Sequence, residues 1–313
     1  PDGKYELVAE DVKLKNVNGV DFYPELTKSN VQIYEDLNYR HWDVWEDGAF
    51  SHIFIEEKGS GIRTDIMEDE PYDCPQKPFG GSEDYIWSPD GKSVLYVAKK
   101  LYGKEYALST NTDIYSYDLV TKITTNLTAE NKGYDTQPSY SKDGKLAWLR
   151  MKRDGYEADK NDIMISISGE KINLTSNWDG TVNGFVWAED GETIYFTAPI
   201  DGTVQLFSVT LPKKGAKANP PVQITKGQFD VNGIVGQAKN IMVVNRCDMN
   251  HTTELYTVNL KNGSMKQLTH ANDEIYNNIQ LSKVEKRMIK TTDGKDMLTW
   301  VIYPPDFDST KVY

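Results

Sequence analysis

Short apolar runs rich in Val, Ile, Leu, Tyr and Phe recur along the chain, each entered from an aromatic residue and a turn. Trp87-Ser88-Pro89-Asp90-Gly91-Lys92 leads into Ser93-Val94-Leu95-Tyr96-Val97. Tyr140-Ser141-Lys142-Asp143-Gly144-Lys145 leads into Leu146-Ala147-Trp148-Leu149, and Trp187-Ala188-Glu189-Asp190-Gly191-Glu192 into Thr193-Ile194-Tyr195-Phe196-Thr197. Glycines 91, 144 and 191 lie 53 and 47 residues apart, and Asp47-Gly48 precedes the first of them by 43. The pattern predicts an aromatic residue that closes a short strand and packs inward. A tight Asp-Gly hairpin turn with positive φ angles follows, and then a β-branched and aromatic strand.

Each unit continues with a third strand: Asp113–Asp118, 162–166, 205–209 and 254–258. A fourth strand ends in a repeated signature, at Asn126-Leu127-Thr128, Asn173-Leu174-Thr175, Gln223-Ile224-Thr225 and Gln267-Leu268-Thr269. In the fourth unit Gln237-Ala238-Lys239-Asn240 stands where the others carry Asp-Gly, with Ile241-Met242-Val243-Val244 as its strand. Four short antiparallel strands at this period read as an all-β β-propeller with four-stranded blades, stacked because no blade can bury both faces alone. Regular units are expected at 87–139, 140–186, 187–234 and 235–279, a less regular one at 41–86 and partial ones at 1–40 and 280–303. Seven blades are preferred and six to eight allowed, the terminal pieces closing the ring. Sandwich and β-helix folds also use many short strands, but lack this fixed period of turn, strand and Leu-Thr end. No amphipathic helix is predicted, and Lys213–Pro221 reads as a polar hairpin loop.

Charge narrows the partners. A net charge of −12 repels phosphate backbones and anionic lipid, so nucleic acid and membrane are not expected as partners. Cys74 and Cys247 can pair only if the fold brings them together, and without a Cys/His cluster no metal or cofactor site is expected. No apolar run reaches eighteen residues. The chain opens on the turn Pro1-Asp2-Gly3-Lys4 rather than on Met, with no signal peptide in view.

Two stretches carry a resemblance. Tyr39-Arg40-His41-Trp42-Asp43, Trp45-Glu46-Asp47-Gly48, Ser51-His52-Ile53-Phe54-Ile55 and Pro78-Phe79-Gly80-Gly81 form the first. Lys290-Thr291-Thr292-Asp293-Gly294-Lys295 and Trp300-Val301-Ile302-Tyr303-Pro304-Pro305-Asp306-Phe307-Asp308 form the second. Together they resemble the N-terminal propeller of the prolyl oligopeptidase family of serine peptidases, in the bacterial dipeptidyl-peptidase and acylaminoacyl-peptidase-like branch. The resemblance implies a propeller over 1–289, with 290–313 as closing strand and linker into an α/β-hydrolase domain. It implies a substrate-gating propeller of a serine exopeptidase that cleaves short peptides, in a periplasmic or secreted setting. No Gly-x-Ser-x-Gly elbow occurs here, so no catalytic residue is assigned and the Ser-Asp-His triad is expected in the missing domain. The alternative is a stand-alone propeller scaffold that binds proteins or peptides.

In dipeptidyl-peptidases of this family propeller carboxylates bind the substrate's free amine, which makes Arg40, His41, Trp42, Asp43 and Glu46 the candidate substrate-binding residues. The competing reading is structural: Trp42 and Trp45 as core aromatics, with Arg40 paired to Asp43. Glu56-Glu57 is the one Glu-Glu pair but follows a strand, and is given no amine-binding role. The acidic stretch Asp65, Glu68, Asp69, Glu70 and Asp73 reads as a solvated loop, and Lys99-Lys100 and Lys213-Lys214 as exposed loop charges. Asn126 and Asn173 fit glycosylation acceptors but belong to the repeated strand end; Asn250 and Asn262 fit as well.

Overall fold

The computed structural model describes residues 3–313; Pro1 and Asp2 of the opening turn lie outside the described residues. Two compact units divide the chain, 1–173 and 174–313. Four antiparallel four-stranded sheets, each ordered as a simple meander, are the blades of a β-propeller. They span 85–126, 135–173, 184–223 and 230–267. Trp87, Tyr140 and Trp187 do end their first strands, as the sequence pattern predicts. The blade boundaries nevertheless lie earlier than predicted. The strand before each aromatic residue belongs to the blade that follows it, and has little apolar pattern of its own.

The N-terminal pieces also differ from expectation. Tyr5–Lys13 pairs along its whole length with Ala49–Glu57, which pairs with Arg63–Asp65. Segments 1–40 and 41–86 therefore share one three-stranded sheet, and residues 14–48 form an excursion between its first two strands. That excursion carries the short helix Gly19–Phe22 and the small hairpin Arg40–His41/Val44–Trp45. In the second unit Val284–Lys290 pairs with Asp296–Ile302, a hairpin spanning both sides of position 290.

Alternation along the inner strands drives blade stacking. In Ser93–Ala98, Val94, Tyr96 and Ala98 pack with Ile53 and Ile55 of the preceding sheet and with Met67 just beyond it. Leu95 and Val97 point the other way, onto Ile114 and onto Trp148 and Met164 of the next blade. The period of two thus supplies both faces, and each fully buried large side chain contributes about 1.5–3 kcal/mol. In the second unit Leu206 packs with Val231, Met242, Val244 and Val258, and Trp178 closes on Phe196 and Phe207 at 5.5 and 5.4 Å.

The Asp-Gly turns work differently from the prediction. Gly91 takes φ 67°, but Asp90 is not in the left-handed region. Its carboxylate instead accepts hydrogen bonds from Ser88 Oγ at 2.7 Å and the Lys92 N–H at 3.1 Å, closing a longer loop. Two-residue turns with both φ angles positive occur instead at Ser168-Gly169, 52° and 84°, and at Asp201-Gly202, 51° and 70°.

The Leu-Thr signature has a physical role. Where the fourth strand ends, the threonine hydroxyl continues the ladder: Thr128 Oγ1 accepts the Ile114 N–H at 3.0 Å, Thr225 Oγ1 that of Leu206 and Thr269 Oγ1 that of Leu255, both at 2.9 Å. Blades are further joined through Asp135, whose N–H donates to Thr112 O at 3.0 Å while its carboxylate accepts from Trp148 Nε1 at 2.6 Å. Burial pushes the Asp135 carboxyl up to about 7, against the pull of the Asn131 and Trp148 donors.

Only part of the acidic stretch is solvated: Glu68 and Asp69 are exposed as expected, but the other three are not. Asp65, Glu70 and Asp73 are each drawn inward by a cation or a donor. Glu70 holds Lys100 at 2.6 Å, and Asp73 accepts the Ser51 N–H at 2.8 Å and pairs with Lys77 at 3.1 Å. His52 is fully buried, with Nδ1 2.8 Å from Asp65 Oδ2 and Nε2 2.8 Å from the Glu70 carbonyl oxygen. Both partners can only accept, so both ring nitrogens donate and His52 is an imidazolium. Burial alone would lower its pKa; the bonds to Asp65 and Glu70 outweigh that and raise it. Lys99 and Lys100 are likewise half-buried rather than exposed, while Lys213 and Lys214 are exposed as expected. Both cysteines are free thiols.

Two outcomes follow. Thr225→Val strands the buried Leu206 N–H and should cost about 1–3 kcal/mol, read as a lower urea midpoint. The raised His52 pKa adds stability that is full below about pH 6.5 and disappears as pH rises through the native value. Denaturation midpoints measured across that window should fall in the wild type and stay flatter in His52→Gln.

Candidate functional site

The small hairpin displays its side chains through a turn at Trp42-Asp43, with Trp42 held at φ 50°. Trp42 is 65% exposed and Trp45 46%, so neither is a core aromatic. Arg40 does not pair with Asp43: its Nε donates to the Trp42 carbonyl, and its guanidinium lies 5.4 Å from the Trp45 ring centre. Tyr34, Tyr39 and Trp45 pack together at 5.5–6.1 Å and hold the hairpin from one side. On the other, Trp42 meets His41 at 5.1 Å and Phe79 at 5.3 Å, edge to face.

Beneath that edge lies a cavity of about 890 Å³ formed entirely within the first unit. Arg40, His41, Trp42 and Phe79 form one wall; Lys99, Tyr134 and Gln137 at blade strands, with Tyr106 on the short helix Gly103–Leu108 and Thr110 after it, form the floor. Glu46 is turned instead into a neighbouring cavity of about 420 Å³, alongside Asp73 and Tyr34. The Glu46 backbone is fixed by its N–H to Tyr39 O at 3.0 Å and by the Tyr34 hydroxyl on its carbonyl at 2.6 Å. Burial raises the Glu46 pKa, with the Asp73 charge adding to it. Asp43 lines neither cavity and stands exposed at the hairpin tip. The two cavities share Asn38 and Tyr106.

The loop carrying Phe79 is braced from below. Asp84 is buried and its Oδ2 accepts the Gln76 N–H at 2.9 Å. A Cβ on Gly80 would stand 2.1 Å from that oxygen, so only glycine lets the chain pass. Burial pushes the Asp84 carboxyl up to about 6; the Gln76 N–H opposes this and the Glu83 charge reinforces it.

Sequence reasoning missed the floor of the cavity. Gln137 sits at φ 52° in a bulge between Thr136 and Ser139, a conformation costing a non-glycine residue about 1–3 kcal/mol. A proline at 138, inside a strand pattern, was the signal that could have revealed it. Lys99 and Tyr106 left no such mark, because a strand end and a short helix meet here only in three dimensions.

Glu56 and Glu57 fall at the end of strand Ala49–Glu57, where Glu56 pairs with Arg63 at 3.2 Å. No helix carries them, as their place after a strand pattern predicts.

The sequence model of the dipeptidyl peptidase IV (DPP IV) N-terminal region matches residues 158–298. The chain is 40% identical over 319 residues to dipeptidyl-peptidase 5 of Porphyromonas gingivalis, covering all of this chain and 46% of that protein. It is 38% identical over 318 residues to dipeptidyl-peptidase 5 of Porphyromonas endodontalis, covering all of this chain and 45% of that one. The chain thus spans about half the length of the curated relatives it matches. Among solved structures, acylaminoacyl peptidase of Pyrococcus horikoshii superposes with a TM-score of 0.67 at 16% identity, over 99% of this chain and 43% of that one, a shared fold.

The exposure of Trp42 gives a direct test. Trp42→Ala should change thermal stability by no more than about 0.5 kcal/mol, as for surface positions. A core aromatic would lose about 3–5 kcal/mol.

Proposed function

We propose, because the chain belongs to the prolyl oligopeptidase family as its N-terminal propeller region, that it is the substrate-gating propeller of a serine exopeptidase of dipeptidyl-peptidase type acting on short peptides. The observation that carries this reading is the cavity of about 890 Å³ under the Trp42–Phe79 edge. Its volume falls within the range of small-ligand sites, about 300–1,000 Å³, large enough for a few residues of peptide and too small for a folded chain. Similarity over the whole chain to proteins named dipeptidyl-peptidase 5 supports the same substrate class.

In this reading Trp42 and Phe79 are apolar walls for peptide side chains, and His41 adds a polar edge beside them. Arg40 offers its guanidinium to peptide carbonyls. Glu46, in the adjoining cavity, offers its carboxylate to the peptide's ammonium through charge-assisted hydrogen bonds. Asp43 at the tip is a further acidic contact at the entrance. The serine nucleophile and its histidine base belong to an α/β-hydrolase domain outside these 313 residues, and this chain alone hydrolyses nothing.

The experiment uses the longer protein that contains this chain, assayed on dipeptidyl chromogenic substrates with free and with acetylated amino termini. Serine-directed inhibitors should abolish cleavage. Arg40→Ala and Trp42→Ala should each raise KM about tenfold, the loss of one ligand contact of about 1.4 kcal/mol. Complete absence of hydrolysis would sink the peptidase reading and leave the scaffold that binds peptides.

A further inference from the structure

The floor of the larger cavity holds a cation that no carboxylate of the described residues contacts in an ion pair. Lys99 follows directly on strand Ser93–Ala98 and is half-buried. Among the described residues its ammonium has neither an ion pair nor a hydrogen bond; its close contact is the Tyr106 ring, 4.2 Å from the ring centre. The adjacent Lys100 forms the contrast, bound to Glu70 at 2.6 Å and to Tyr96 Oη at 2.9 Å. The carboxylates of Asp154 and Glu157 act on Lys99 through space. Asp154 is committed elsewhere, accepting from Ser109 Oγ at 2.5 Å and from the Thr110 N–H at 2.9 Å. Glu157 lines the cavity without making an ion pair to Lys99. Removing an ammonium from water without an anion is costly, and burial lowers the Lys99 pKa despite those two neighbours.

Two further features point the same way. Gln137 is held in the left-handed region in its bulge, and its side-chain amide has no hydrogen-bond partner among the described residues. Tyr134, also on the floor, has a hydroxyl with no partner among them. A cation, an amide and a phenol, all without acceptors, converge on one cavity in a protein whose net charge is −12. The chemistry that satisfies all three is a carboxylate, which accepts several charge-assisted and neutral hydrogen bonds at once.

We propose that Lys99, with Gln137 and Tyr134, forms a subsite for a peptide carboxylate, and that the group bound there is the free carboxyl terminus of a short peptide. This rests on the reading of the chain as a peptide-gating propeller and names the end of the peptide that the cavity floor takes. A cavity of this volume holds only a few residues, so a terminus reaches its floor. The subsite thereby favours oligopeptides with free ends over internal stretches of long chains.

The test is binding to the protein, independent of hydrolysis. N-acetyl-trialanine as free acid, N-acetyl-trialanine amide, and an N-acetylated tripeptide amide with one central Asp are titrated calorimetrically to 10 mM. The proposal expects the free acid to bind at least about tenfold tighter than its amide. That preference should disappear in Lys99→Met and persist in Lys99→Arg, with thermal melts checking that both variants fold. The Asp-containing amide binding as tightly as the free acid would overturn the terminal assignment in favour of a side-chain carboxylate. Equal binding of acid and amide by the wild type, including no detectable binding of either, would overturn the subsite. An acid preference unchanged in Lys99→Met would do the same. If the subsite stands while the longer protein fails to hydrolyse peptides, the peptidase reading alone falls.

Discussion

Each four-stranded sheet has two apolar faces and cannot bury either by itself, and the rest of the molecule answers to that constraint. The inner strands carry it most plainly. Five consecutive residues, Val94 to Ala98, are buried, because even and odd positions face different neighbours. Stacking then sets the spacing of everything at the blade ends. Strand ends of neighbouring sheets must come within hydrogen-bonding reach: the threonine hydroxyls accept backbone N–H groups that the ladders leave over, and the Asp135 N–H reaches Thr112 O while its carboxylate takes the Trp148 indole N–H.

Stacking also explains why so much charge lies inside the first unit. The segment 65–73 crosses from the three-stranded sheet to the first full blade, and a crossing backbone leaves acceptors that no strand pairs. His52, as an imidazolium, takes one of them, the Glu70 carbonyl, together with the Asp65 carboxylate, and Lys100 and Lys77 take the carboxylates of Glu70 and Asp73. These charges are bound to one another or to backbone, so they act as fasteners with no capacity left for a ligand. Lys99, one residue from the well-paired Lys100, differs in this respect.

The candidate site is an insertion laid against blade ends. Residues 14–48 leave the three-stranded sheet, build the hairpin with Arg40, His41 and Trp42, and return at Ala49. The blades supply a rigid floor and the excursion supplies an apolar lip, with Phe79 completing it from a loop braced by Asp84 and Gly80. The division matches the way rigid scaffolds position functional loops generally.

The amino-acid sequence by itself determined the fold class and the strand content of four blades, because a period of two in apolar residues and a repeated turn are local properties. It also singled out the hairpin 40–46 through its density of aromatic and charged residues. What only the tertiary structure decided depends on partners distant along the chain. The pairing of Tyr5–Lys13 with Ala49–Glu57 is separated by an excursion that no local pattern bridges. The inward turn of Asp65, Glu70 and Asp73 depends on cations supplied by other segments. Glu46 and Arg40 go to different cavities, although six residues apart, with Tyr34, Tyr39 and Trp45 packed between segments that no local pattern brings together. Lys99 and Lys100 read alike in sequence, and only the placement of Glu70 beside one and an open cavity beside the other tells them apart.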